Sequence, residues 1–316
     1  MDAGTDIGTR MARETAAATL LEAIGKTPLL ALSRVARDVR GLRLLAKAEH
    51  LNPGGSVKDR PARAMILDGI ERGALTPGKT ILEATSGNTG IADAMIGRAL
   101  EFRVAVCLPG NASAERRGIL TAYGAELFLT DPLEGTDGAI RKARELAAAR
   151  PDLYFYPDQY SNAANWRSHF DTTGPEIWEQ TGGRLTHFVT GLGTTGTFMG
   201  VTRFLRKKAP SVRCISGEPD GPLHGLEGMK HMATAMVPPI YDATLADSNL
   251  PVATEDAYEM CRRLAKEEGL FVGPSSGANV SAAVQVAGET SEPTTIVTVL
   301  CDGGGRYLSE DFWRAE

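Results

Sequence analysis

The chain has 316 residues, 42% hydrophobic and 23% charged, with a net charge of −5. That length predicts about two domains of roughly 150 residues each and ample chain for a buried core. The slightly acidic balance argues against a nucleic-acid surface, and no apolar run is long enough to span a bilayer.

From residue 42 onward, short apolar runs alternate with helical patterns. The runs LRLLAKA (42–48), TILEAT (80–85), FRVAVCL (102–108), ELFLT (126–130), THFVTG (186–191), VRCISGE (212–218) and TTIVTVL (294–300) predict strands. Segments 57–71, 87–100, 113–123, 136–149, 196–208, 254–268 and 277–287 predict helices, with Ser113 and Thr254 as N-caps. Strands this apolar, separated by helices, predict an α/β fold with parallel sheets covered on both faces. The polar stretch DQYSNAANWRSHFDTTGPE (158–176) is the expected domain junction. Segment 218–250, rich in Pro, His and Met and lacking periodicity, is too long for an inert connection.

The opening residues, MDAGTDIGTRMARE, carry early acids and no apolar segment, so a signal peptide is not expected. Cys107, Cys214, Cys261 and Cys301 stand far apart, with no C-x-x-C and no histidine at metal spacing. No metal site is expected, and a reduced, cytoplasmic setting follows. Cys107 and Cys301 end apolar runs, where free cysteine reads as a small buried hydrophobe.

The stretch NPGGSVKDRPARAMI (52–66) places Lys58 where a Gly-rich loop becomes a helix. A nucleotide P-loop needs G-x-x-x-x-G-K-[ST], and the spacing here fails. Three further loops share the order strand, small polar residues, helix. In EATSGNTGIADAMIG (83–97), Thr85, Ser86, Asn88 and Thr89 lie among glycines at a helix start. This is a nest for a carboxylate or phosphate and exceeds what a single cap needs. In THFVTGLGTTGTFMG, the segment from Gly191 to Gly196 suits a phosphate. It also matches a dinucleotide fingerprint, with Glu218 about 20 residues on as a ribose-binding acid. That fingerprint normally opens its domain, whereas this one lies deep in the chain. In LFVGPSSGANVSAAV, Ser275 and Ser276 either cap a helix or turn one hydroxyl toward a bound ring.

The order N-P-x-x-S-x-K-D-R, T-S-G-N-T-G, G-x-G-T-x-G-T and G-x-S-S-G resembles the cysteine synthase branch of the fold-type II pyridoxal 5′-phosphate (PLP) enzymes, which are tryptophan synthase β-like. The resemblance runs from IGKTPLL (24–30) to CDGGGRYLS (301–309). It implies that Lys58 is the Schiff-base lysine and the base acting on the substrate Cα. It implies that Asn88 bonds the ring 3′-oxygen and that Gly193, Thr194, Thr195, Gly196 and Thr197 grip the phosphate. Ser275 would face the pyridine nitrogen, and Thr85, Ser86, Asn88, Thr89 and Gln159 would hold the substrate carboxylate. A neutral serine at the ring nitrogen makes a weaker electron sink than an acid would, which suits β-elimination. Thr195, Pro274 and Asp93 depart from the usual pattern; Asp93, near the helix start, is expected only to complement the dipole.

The implied reaction is β-replacement on an O-activated L-serine, O-acetylserine being favoured, with sulfide to give L-cysteine. O-phosphoserine users place a cation in the irregular segment, and Lys230 is the candidate here, against a solvated surface lysine as the alternative. A cystathionine β-synthase-like role is a further alternative. Outside the class stand an NAD(P)-dependent oxidoreductase using the 191–196 loop and a catalytically silent relative; neither has work for Lys58, Asn88 and Ser275 together. The resemblance also implies a homodimer and two parallel-sheet domains. The smaller, mobile domain (47–160) would carry the carboxylate loop, and the larger (12–46 plus 161–316) the phosphate loop. The ending FWRAE argues against a complex with serine acetyltransferase, which reads an isoleucine-ended tail.

Overall fold

The structure, a computed structural model, describes residues 19–85, 87–290 and 293–314. Its strands are β1 (Leu29–Ala31), β2 (Leu42–Ala48), β3 (Thr80–Ala84), β4 (Arg103–Pro109), β5 (Glu126–Thr130), β6 (Tyr154–Phe155), β7 (His187–Gly191), β8 (Arg213–Pro219), β9 (Ser248–Val252) and β10 (Thr294–Leu300). Helices follow as α1 (Asp59–Glu71), α2 (Asn88–Ala99), α3 (Ala114–Ala122), α4 (Gly135–Ala149), α5 (Ala163–Ser168), α6 (Gly174–Gln180), α7 (Gly196–Lys208), α8 (Thr254–Arg263) and α9 (Pro274–Gly288).

The strands form two sheets. One has six strands in the order β1-β2-β10-β7-β8-β9, with only the β1–β2 pair antiparallel. The other has four parallel strands in the order β5-β4-β3-β6. Parallel strands need crossover helices, and these cover both faces, as the continuous apolar runs of β4 and β10 require. In the larger sheet, Val280, Ala283 and Val286 of α9 pack on one face with Leu44 and Ile296. Phe198, Val201 and Leu205 of α7 pack on the other with Leu45, Phe188 and Val297. In the smaller sheet, Ile66, Ile91, Met95 and Leu120 lie under Ile81 and Val106, while Ile140 and Ala143 of α4 cover Leu82 and Ala105. Truncating a buried side chain such as Phe198 would cost roughly 3–5 kcal/mol.

Several elements differ from expectation. The polar stretch 158–176, read without regular elements, enters α5, a wide helical turn (His169–Thr173) and α6. Small polar residues such as Asn165 and Ser168 face inward there, bonding Gln159, Thr194 and the Asn165 carbonyl. Thr254 begins α8 but does not cap it; its hydroxyl accepts from Gly225 N at 3.0 Å. Ser113 does cap α3, accepting from Arg116 N. Helix α9 starts three residues early, with Pro274 at its first position, where a missing N–H costs nothing. Among the described residues no helix is long and apolar enough to cross a membrane.

Candidate active site

In a parallel sheet, all strands deliver their following loops to one edge, where ligands bind. Here β2, β10 and β7 lead to Lys58, Cys301 and the 191–196 loop, and β3 of the other sheet leads to Thr85–Asn88. The loops meet in one cleft. It is lined by Lys58, Thr85, Asn88, Thr89, Gln159, Gly193, Thr194, Thr195, Thr197, Lys230 and Ser275. Sequence-distant candidates thus converge on one site. Ser86 lies outside the described residues.

Lys58 sits immediately before α1 and is partly buried on the cleft wall. Burial lowers its pKa, opposed by the charges of Cys301 and Asp302. Its two successors are tied down. Asp59 accepts from Gly54 N at 2.5 Å, with burial raising its carboxyl to about 7. Arg60 bridges Glu49 and Glu176 at 2.7 Å each, and Lys47 joins Glu176 at 2.6 Å. Burial pushes the Glu176 carboxyl upward, but the bonds from Arg60 and Lys47 win and hold it at about 2. This buried ionic frame fixes the start of α1, and with it Lys58.

The 191–196 loop fits a phosphate on its own geometry. Thr195 adopts φ +70°, a left-handed conformation costing roughly 1–3 kcal/mol for a side-chain-bearing residue, and such strain clusters at ligand clamps. Its hydroxyl is buried without a partner. A Cβ on Gly193 would strike the Gly228 carbonyl, and one on Gly196 would strike the Asn165 side chain. Helix α7, 13 residues long, directs its N-terminal amides here. Behind the loop, His169 Nε2 lies 3.3 Å from the Thr197 hydroxyl; burial, with help from Arg60 and Lys58, keeps this imidazole neutral. An anion clamp, a lysine of lowered pKa and a neutral serine at the head of α9 together fit PLP. Ser276 is the structural member of its pair, accepting from Cys301 N at 2.8 Å, while Ser275 lines the cleft.

On the opposite wall, Thr89 Oγ1 donates to Gln159 Oε1 at 2.7 Å, and Gln159 Nε2 donates to the Ala84 carbonyl. Gln159 therefore braces Thr89 as well as facing the cleft. Asn88 lines the cleft with its amide engaged, donating to Asp302 at 2.6 Å and accepting from Arg306. Lys230 is not a solvated surface lysine. Its side chain is 9% exposed and paired with Asp137 at 2.7 Å.

Sequence reasoning missed Thr136, Tyr160, Glu227, Met229, Asn279 and Cys301, which also line the cleft. Cys301 is not the fully buried hydrophobe expected; its sulfur reaches the cleft and accepts from Asn279 at 3.3 Å, with burial raising the thiol to about 11. Its place directly after a strand in the CDGGG turn was the available signal. Asp93 is likewise no dipole partner. It lies fully buried in α2, both oxygens unpartnered, with burial raising it to about 8. The ribose-binding reading of Glu218 fails, since that carboxylate accepts from Met232 N at 2.8 Å and binds Asn249.

Comparison with known proteins decides the cofactor class. The family model "Pyridoxal-phosphate dependent enzyme" matches residues 20–302. The chain belongs to that family. It is 50% identical over 305 residues to a cysteine synthase of Aquifex aeolicus, covering 95% of this chain and 92% of that protein. It is 43% identical to cysteine synthase B of Escherichia coli, covering 92% and 94%. Among solved structures, a cysteine synthase from Entamoeba histolytica superposes with TM-score 0.89 at 36% identity, covering 96% of this chain and 93% of that one. The chain is therefore a PLP-dependent enzyme of the fold-type II α/β architecture, and the oxidoreductase reading is set aside.

Proposed function

We propose that this enzyme converts O-acetyl-L-serine and hydrogen sulfide into L-cysteine and acetic acid, with PLP as cofactor. The observation that carries the reading is the convergence of Lys58, the Thr195-centred anion clamp and the Thr85–Thr89 loop on one cleft. Relatives named cysteine synthase, matched over nearly the whole chain, support it.

Bound PLP supplies the electron sink that loosens the donor's Cα proton. The protein's part is to position, shield and move protons. The α7 amides with Thr194, Thr195 and Thr197 would hold the phosphate. Ser275 would serve the ring nitrogen without protonating it, and Asn88, steadied by Asp302 and Arg306, would be the side chain offered to the ring oxygen. The amides and hydroxyls of the Thr85–Thr89 loop, braced by Gln159, take the donor carboxylate. Lys58, whose lowered pKa favours its neutral amine, accepts the Cα proton. Departure of acetate and entry of sulfide then exchange the group on Cβ.

The unit around the four-stranded sheet (47–160) is the mobile one, closing the carboxylate loop over the donor and excluding water. We assign the enzyme to the cytoplasm, in keeping with four free cysteines, and to a homodimer. Steady-state turnover tests the reaction: purified holoenzyme given O-acetylserine and sulfide should form cysteine. Absence of cysteine with every O-activated serine tried would contradict the reading.

A further inference from the structure

Two of the side chains lining the cleft, Glu227 and Lys230, are each held in an ion pair. Arg116 of α3 pairs with Glu227, and Asp137 of α4 pairs with Lys230 at 2.7 Å. Each joins the four-stranded-sheet unit to the irregular segment between β8 and β9. Lys230 is held firmly at both ends. Its backbone N–H donates to the Leu192 carbonyl at 2.8 Å, beside the phosphate clamp, and its ammonium lies 5.3 Å from the centre of the Tyr160 ring. Asp137 is fixed in turn, since its second oxygen accepts from Met236 N at 3.0 Å. Burial alone would raise the Asp137 carboxyl, but the bonds from Lys230 and Met236 hold it below the usual range. It stays a carboxylate throughout the neutral range.

The side chains lining the cleft that carry charge are Lys58, Glu227 and Lys230. Lys58 is committed to the cofactor, and the other two are committed to ion pairs. An incoming donor thus meets no uncompensated cation there. A phosphorylated donor, bringing a dianion, would have to displace Asp137 from Lys230 while facing the Glu227 carboxylate. Like charges brought together in a partly desolvated cleft are strongly disfavoured, whereas an uncharged acyl ester meets no such opposition.

We infer that Asp137 is a specificity-determining residue: by occupying Lys230 it selects a serine donor with an uncharged leaving group against a phosphorylated one. This rests on the cysteine-synthase reading above. If Asp137 were only a brace between the two units, its loss would affect both donors alike.

The test compares kcat/KM for O-acetylserine and O-phosphoserine in wild-type holoenzyme, Asp137→Asn, and Asp137→Asn with Lys230→Gln. The ratio of phospho to acetyl donor should rise by about tenfold or more in Asp137→Asn, the scale of one unfavourable charge contact. The rise should vanish in the double variant. An unchanged ratio, or a rise that survives loss of Lys230, would overturn the assignment. Should Asp137→Asn fail to fold, inhibition by inorganic phosphate against O-acetylserine gives a second reading. It should be equally weak in wild type and Lys230→Gln, and inhibition that depends on Lys230 in the wild type would overturn the claim. Failure of the reaction itself is distinct: wild type would then turn over neither donor.

Discussion

Lys58 and Asp93 show how burial tunes two ionisable groups in opposite senses. Burial pushes the Lys58 amine toward its neutral, basic form, and burial pushes the Asp93 carboxyl up to about 8. In Lys58 this would serve the proposed proton transfer, so Lys58→Ala should remove the cofactor's lysine-bound absorbance and reduce turnover by several orders of magnitude. In Asp93 the shift is a stability statement. An unfolded Asp93 loses its proton near 3.8 and the folded one near 8, so between those values the folded state binds more protons. Stability from this group therefore falls as pH rises through that window. Asp93→Asn, which keeps the shape and offers N–H donors beside Glu83, should raise Tm more at pH 8.5 than at pH 5, by a few degrees. An equal gain at both pH values, or a larger one at pH 5, would refute a buried neutral acid. Neither behaviour of Asp93 was legible in the sequence, where its place near a helix start reads as an ordinary dipole partner.

At the scale of elements, the start of α7 is the most constrained. Thr195 is held left-handed and Gly193 packs directly on the Gly228 backbone, so the clamp and the irregular segment are shaped against each other. Gly193→Ala must move one of them. Its affinity for PLP, measured by titrating apoprotein with cofactor, should fall about tenfold or more while far-ultraviolet circular dichroism is kept. Unchanged affinity would mean that the loop does not grip the phosphate. Strands β4 and β10 were readable from sequence because burial on both faces leaves no polar alternation, and α7 because Phe198, Val201 and Leu205 recur at helical spacing. Strands β1, β6 and β9 were not. They have 3, 2 and 5 residues, and β9 contains Asn249 and Pro251, which read as a turn and are tolerated at this sheet edge. Helix α5 and the wide turn after it were missed for a different reason: their inward faces carry Asn165, Ser168 and Thr173, which bond the Thr194 hydroxyl, the Asn165 carbonyl and the His169 ring in place of an apolar stripe.

For the whole molecule, the candidate site was more legible than the fold. Lys58, Asn88, Thr195 and Ser275 each lie within two residues of a helix start, a local arrangement visible in one dimension. The partners that set their behaviour come from far along the chain. Asp302 and Arg306 hold Asn88 across more than 210 residues, and Asp137 reaches Lys230 across 93. No local pattern marks such pairs, so an apparently free cation in sequence proved to be an occupied one in space. Both ion pairs on the cleft wall cross between the two sheet units, which ties donor choice to the closure proposed for residues 47–160.

The account rests most directly on Lys58 and the cofactor it would bond. The decisive measurement is an absorbance titration of the purified holoenzyme, first with O-acetylserine and then with sulfide. The account predicts a visible cofactor band that shifts on addition of the donor and returns when sulfide is added, with cysteine formed in the same amount. In Lys58→Ala that starting band should be missing. A wild-type protein that shows no such band after incubation with PLP, or whose band ignores O-acetylserine, would contradict it.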